Sequence, residues 1–210
     1  MGHEPGAPPA GTDAQAWEAI YQADDAGWDL GQPSPPLVAF LAEGVLPPAP
    51  AVVAVPGCGT GHEVLALAQA GYQVTGLDFA PSAIAAARER LQAAACAAEL
   101  LAGDALEPTP SIDGRCDWVF EQTFFCALLP SQRAAYAAAM WRLLRPGGEL
   151  WAIQMRTPNT DRQPFDSTPD EFEAALTARG FIPLERRPLQ AESFARRRGR
   201  ETLIRLQRPS

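Results

Sequence analysis

The chain of 210 residues contains no lysine, so all 17 of its basic residues are arginine. Against them stand 25 acidic residues, a net charge of −8, which argues against a nucleic-acid or anionic-membrane surface as the main partner. Histidine is nearly absent: His3 and His62 are the only two, too few to supply a His-based triad or a zinc site well. The four cysteines, Cys58, Cys96, Cys116 and Cys126, form no C-x-x-C pair and no metal-type spacing with histidine. Reduced thiols in a cytoplasmic protein are expected, and no metal. No apolar run approaches the ~18 residues of a membrane span, and no charged-then-apolar leader opens the sequence. Internal repeats are absent. With 47% hydrophobic and 20% charged residues, the composition is that of a soluble globular protein of one domain.

What is present is a regular alternation. Residues 1–13 are rich in Pro, Gly and Ala and read as a disordered tail, leaving 14–210 as a single domain. A helix is expected from about Ala14 to Asp24, with Trp17 and Tyr21 on one face. A Gly/Pro-punctuated segment then leads to a short helix from about Pro35 to Glu43. "AVVAVP", "YQVTGLD", "AELLAGD" and "CDWVFEQ" read as strands, separated by helices at about His62–Gln69 and over "PSAIAAARERLQAAA". A further helix ends at Pro146-Gly147-Gly148, read as the break before a fifth strand. "TPDEFEAALTARGF" reads as a helix with a Thr cap and acids in its first turn. Two late strands, about Ile182–Arg187 and Thr202–Gln207, form a hairpin-like edge. This pattern predicts an α/β fold with an open, mostly parallel sheet covered on both faces. Nine arginines crowd the end of the chain between Arg179 and Arg208, and "RRRGR" (196–200) reads as a solvated basic face, with anion binding as the alternative.

The chemistry concentrates in "VPGCGTGHE" (55–63), where three glycines separate the first strand from the following helix. Such a turn lets a nucleotide-like ligand lie against the main chain at a helix N-terminus. Asp78 ends the second strand, where a carboxylate can accept both hydrogen bonds of a ribose diol; capping the next helix is the plainer alternative. The spacing is G-x-G-x-G, not the G-x-G-x-x-G that nicotinamide and flavin enzymes need. "AGDA" sets Asp104 just after the third strand, and "LLRPGGEL" closes the helix before the fifth.

Together these features resemble the class I S-adenosylmethionine-dependent methyltransferases, with their Rossmann-like seven-stranded fold. "WEAIY…GWDLGQPSPPL", "FEQTFFCALLPSQRAAYAAAMWRLLRPGGEL", "QPFDSTPDEFEAALTARGF" and "RRRGRETL" are similar, in order and spacing, to the thiopurine methyltransferase superfamily, and within it most to the thiol, thiocyanate and halide methyltransferases. The resemblance runs from about Trp17 to Arg208. It implies that Trp17, Tyr21 and Trp28 belong to an N-terminal lid (14–46) over S-adenosylmethionine. It also implies that Gly57 and Gly59 run under the methionine part, Asp78 holds the ribose, and Asp104 with Ala105 meets the adenine. Glu121 and Gln122 would stand at the methyl donor. A monomer acting on a small molecule is implied as well. Tyr21 stands where plant relatives usually carry Trp. Gln122 stands where the halide and thiol group commonly has Tyr and the mammalian thiopurine enzymes Arg, which disfavours a carboxylated thiopurine.

A soft anion needs no strong general base, and none is offered by these motifs, so no catalytic residue is assigned. Trp28, Gln122, Phe124, Phe125, Met155 and Arg156 are the candidate substrate pocket; Phe124 and Phe125 serve equally well as core. Arg156 and Arg162 follow the fifth strand, where an arginine can attract an anion, a solvated loop position being the alternative. Cys58 and Cys126 are expected to be small buried residues. Two other classes stay open at this point: a nicotinamide oxidoreductase and a non-catalytic S-adenosylmethionine-binding protein.

Overall fold

A computed structural model of the chain describes residues 14–210 except 24, 162, 191 and 192. The expected tail over 1–13 and the candidate Arg162 lie outside the described residues. Seven strands are joined in one sheet: β1 (Val52–Pro56), β2 (Gln73–Asp78), β3 (Glu99–Ala102), β4 (Cys116–Gln122), β5 (Leu144–Met155), β6 (Ile182–Leu189) and β7 (Glu201–Gln207). Their order is β3-β2-β1-β4-β5-β7-β6. The pairs among β1 to β5 are parallel, and β7 enters antiparallel between β5 and β6. The mostly parallel, seven-stranded sheet with helices on both faces is thus the expected one, and the two late strands pair antiparallel at one end of it with β6 outermost.

Alternation along the inner strands sorts side chains onto two cores. Ala54, Val119, Leu150 and Ala152 face α5 (Arg133–Leu143) and α6 (Pro169–Thr177), where Phe125, Tyr136 and Phe172 meet. Val53, Val55, Trp118, Phe120 and Trp151 face α2 (Pro35–Glu43), α3 (His62–Gln69) and α4 (Pro81–Ala93). Trp118 packs edge-to-face on Phe120 and Trp151, both at 6.3 Å. Thr168 starts α6 with a capping box: its Oγ1 accepts from Glu171 N at 3.1 Å, and Glu171 Oε2 accepts from Thr168 N at 2.7 Å.

One boundary differs from expectation. Pro146-Gly147-Gly148 is no break, because β5 begins directly at the end of α5. Cys116 pairs with Leu144 and Trp118 with Glu149, so the intervening residues bulge out within the strand. The N-terminal segment adds α1 (Ala14–Gln22), which buries no residue fully. Among the described residues no helix is long and apolar enough to cross a membrane.

Candidate active site

The strand order reverses between β1 and β4, and a cleft of about 540 Å³ opens beyond the carboxyl ends there. Its floor is the 57–61 loop. Gly61 has φ +80°, and a Cβ on it would come within 2.7 Å of Ala87 on α4. A Cβ on Gly57 would meet the Phe124 ring at 2.6 Å. These two glycines therefore serve close packing of the protein on itself. At Gly59 the nearest group is the Tyr21 hydroxyl, 3.1 Å from where a Cβ would stand, so bare backbone faces the lid there.

Asp78 is almost wholly buried at the end of β2. Its Oδ2 accepts from Gly59 N at 2.9 Å and its Oδ1 from Ala80 N at 3.0 Å. Burial pushes the carboxyl up, opposed by these backbone donors. Phe79 N–H is a third backbone donor, and the about four acceptor sites of a carboxylate leave capacity for a ligand hydroxyl. Asp104 and Ala105 line the adjoining wall; the Asp104 carboxylate is exposed and accepts from Leu106 N at 2.9 Å.

The N-terminal segment expected to form a lid borders this floor. Trp28 stands edge-on to Trp17 at 5.0 Å and to Tyr21 at 5.8 Å, and all three line the cleft. Burial and then the charge of Asp78 push the Tyr21 phenol up. Polar latches hold the segment in place. Glu18 on α1 accepts from Ser82 N at 2.9 Å and Ser82 Oγ at 2.5 Å, at the start of α4. Asp29 accepts from Thr60 Oγ1 at 2.5 Å and Gly31 N at 2.8 Å, and pairs with His62 Nε2 at 3.0 Å. The His62 bond, with those of Thr60 and Gly31, holds the Asp29 carboxyl well below the usual range despite burial. From the other end of the chain, Arg196 donates to Gly27 O at 2.7 Å and Arg197 to Trp28 O at 3.2 Å.

At the far end Gln122, Phe124, Cys126 and Met155 line the cleft with Arg197. Arg197 is buried, with Glu201 Oε1 at 3.5 Å from Nη1; Gln122 Nε2 donates to the same oxygen at 3.3 Å. Burial pushes the thiols of Cys126, to about 12, and Cys58 up, so both stay protonated.

Three expected positions fall elsewhere. Glu121 points to the opposite face of β4 from Gln122 and does not line the cleft; its Oε1 accepts from Phe124 N at 2.7 Å and Phe125 N at 3.0 Å. Phe125 is core, 4.7 Å from Phe172 and 5.0 Å from Tyr136. Arg156 is bound bidentately by Asp166 at 2.9 and 2.8 Å, outside the cleft wall. Sequence reasoning missed Asp29, Thr60, His62, Arg196 and Arg197. The Trp-Asp-x-Gly segment drew notice for Trp28 and not for its neighbour, and the arginine run was read as solvated.

A family model for thiopurine S-methyltransferase matches residues 12–199. The chain belongs to the thiopurine S-methyltransferase family. It is therefore an S-adenosylmethionine-dependent methyltransferase, and the nicotinamide alternative falls. The enzyme is 35% identical over 170 residues to probable thiol methyltransferase 2 of Arabidopsis thaliana, covering 79% of this chain and 73% of that one. To thiocyanate methyltransferase 1 of the same plant it is 34% identical over 194 residues, 89% of this chain and 82% of the other. A solved structure from work on the conversion of a disulfide bond into a thioacetal group during echinomycin biosynthesis shares the fold. Its TM-score is 0.78 at 24% identity, over 93% of both chains.

The residues present fit S-adenosylmethionine. The cleft has the volume of a small-molecule site (roughly 300–1,000 Å³), Asp78 retains acceptor capacity, and Gly57 and Gly59 line it with backbone alone.

Proposed function

We propose that the enzyme methylates a small, soft nucleophile: a thiolate, thiocyanate, bisulfide or halide. The observation that carries this reading is Arg197, a buried guanidinium in the cleft wall whose one ion-pair partner among the described residues is Glu201 at 3.5 Å. In a chain of net charge −8, such a group gives an anion a reason to enter. Two plant relatives bear the names of thiol and thiocyanate methyltransferases, which supports the same acceptor class.

Bound S-adenosylmethionine supplies an electrophilic methyl group on a sulfonium. Asp78 and the Gly59 backbone hold the donor; Asp104 and Ala105 border its adenine side. Trp17, Tyr21 and Trp28 cover it and keep water out, and Phe124 and Met155 wall the acceptor. Gln122 contributes a neutral amide, so it neither competes with an anion nor ionises. In-line displacement by a soft anion requires no proton to be removed, which fits a wall whose thiols are protonated. Positioning alone is worth up to ~7–11 kcal/mol.

The test is release of S-adenosylhomocysteine with iodide, thiocyanate, bisulfide, thiophenol and 6-mercaptopurine as acceptors. Turnover of one or more of the first four, above 6-mercaptopurine, is expected. Turnover of none of the five would refute the proposed acceptor class and point to a different acceptor.

A further inference from the structure

Behind the cleft, on the opposite face of the β4 end, a small void is walled by Glu121, Cys126, Gln154, Met155 and Ser167. It has no room for a water molecule. Two of its walls carry a buried oxygen without any partner, Glu121 Oε2 and Gln154 Oε1. The Gln154 amide cannot be turned round. Its Nε2 donates to Ser167 O at 2.6 Å and to Ser167 Oγ at 3.1 Å, and exchanging N for O would set oxygen against the carbonyl. Neither oxygen meets a donor: the Ser167 hydroxyl on the same wall accepts from Gln154 Nε2 and is in bonding contact with neither.

The other Glu121 oxygen has structural work to do. It accepts both Phe124 N and Phe125 N, the first donors of the 125–127 turn. That turn follows Thr123 at φ +61°, a costly conformation for a β-branched residue. Fastening it sets the Phe124 ring over Gly57 and brings Cys126 and Ala127 into the cleft wall. An ionised, unpartnered Oε2 on a dry void is strongly disfavoured. A proton on Oε2 removes that charge and gives Gln154 Oε1, unpartnered on the same void, a donor.

We propose that Glu121 is a positioning residue for methyl transfer that works un-ionised, Oε1 fastening the 123–127 turn while the Oε2 proton bonds to Gln154. The proposal rests on the methyltransferase reading of the cleft. Burial pushes this carboxyl up to about 7 although two N–H donors pull it down. The titratable groups packed round it are Tyr136 from α5 and Cys126 from the turn, both raised by burial and then by the Glu121 charge itself. β5 and the loop before α6 present neutral Gln154, Met155 and Ser167. Arg197 and Arg133 are the cations whose charge is felt at Cys126.

The experiment compares wild type, E121Q and E121A by two readouts across pH: kcat/KM with thiocyanate, which stays an anion throughout, and the infrared band of a protonated carboxyl. In wild type the band is expected to vanish with a midpoint near 7, and kcat/KM to decline with it. E121Q keeps the acceptor oxygen and offers an N–H to Gln154. It should lack the band, stay within about threefold of wild type at low pH and lose the decline, whereas E121A should fall at least about tenfold at every pH. A decline that persists in E121Q, or a wild-type band titrating near the ordinary 4.5, would overturn the proposal. The infrared result needs no acceptor, so a band with the expected midpoint and no turnover counts against the acceptor class alone and upholds the un-ionised Glu121.

Discussion

Arg197 donates to the main-chain carbonyl of Trp28 at 3.2 Å, across 169 residues of sequence. Arg196 does the same to Gly27. The arginines before β7 are therefore the far anchor of the lid, and anchoring couples to cofactor binding if the lid must be in place to cover the donor. Arg197→Ala removes a charge-assisted bond of about 1.5–3 kcal/mol. S-adenosylmethionine should bind roughly ten- to a hundredfold more weakly by calorimetry. Arg196→Ala, at an exposed side chain, should lose less. Equal affinity in wild type and Arg197→Ala would show that this latch is irrelevant to binding.

The lid itself should respond to ligand. α1 buries no residue fully and is tied to α4 through Glu18 and Ser82. A segment with so little buried apolar surface opens at low cost. Amide exchange over residues 14–34 should be fast without S-adenosylmethionine and slow with it. The same protection in both states would rule out ordering by the cofactor.

Asp78→Ala tests the donor site from the other side. The substitution removes the acceptor for a diol and also frees Gly59 N and Ala80 N, which Asp78 engages now. Cofactor affinity should fall by about 1.5–3 kcal/mol. Asp78→Asn separates the two roles, because an amide oxygen can still accept from one backbone N–H but no longer offers two charged acceptors. Its affinity should lie between wild type and Asp78→Ala.

The legible parts of this site share one property: their geometry is set within a few residues. A glycine turn between strand and helix, and a carboxylate at the next strand end, occupy fixed places once the strands are parallel. Strand alternation carried more than was taken from it. With Gln122 in the cleft, Glu121 must face the other way, and a period of two states that without coordinates. Phe124 and Phe125 part company for a different reason, the reversal at Thr123, which no local pattern announces. The lid latches were illegible because Arg197 and Trp28, or Asp29 and His62, meet only after the whole sheet has formed. Pro146-Gly147-Gly148 misled because a bulge and a loop call for the same residues.

Acid should leave the lid latch at Asp29 intact for longer than an ordinary carboxylate would allow. His62 beside Asp29, with Thr60 and Gly31, holds the folded-state carboxyl well below 3.8. A depressed carboxyl contributes stability that is complete above the unfolded value and lost as pH falls through the lower folded one. The wild-type lid, followed by tryptophan fluorescence, should therefore keep its signal through pH 3.8 and lose it only below. Asp29→Asn lacks the charge at every pH, so its lid should be loosened already at neutral pH and show no such loss on acidification. Identical acid profiles for the two proteins would refute the latch.

Gly61→Ala should be among the most damaging single-methyl additions in the chain. Two penalties meet there: φ of +80°, costing about 1–3 kcal/mol for a residue with a Cβ, and a Cβ only 2.7 Å from that of Ala87. Overpacking adds a further ~1–3 kcal/mol, and each kcal/mol moves Tm by about 2–4 °C at this size. Gly31→Ala separates the two penalties, since φ there is +72° but nothing lies within 4 Å of the added methyl. Calorimetry should find a small loss in Gly31→Ala and a distinctly larger one in Gly61→Ala. The excess measures how tightly the loop is pressed on α4, the helix that also carries Ser82 for the lid and Arg90 for the Thr60 carbonyl. Relieving the clash by shifting α4 must disturb both contacts, so Gly61→Ala should lose S-adenosylmethionine affinity as well, whereas equal Tm losses in the two variants would mean that the loop and α4 are not in contact at that point.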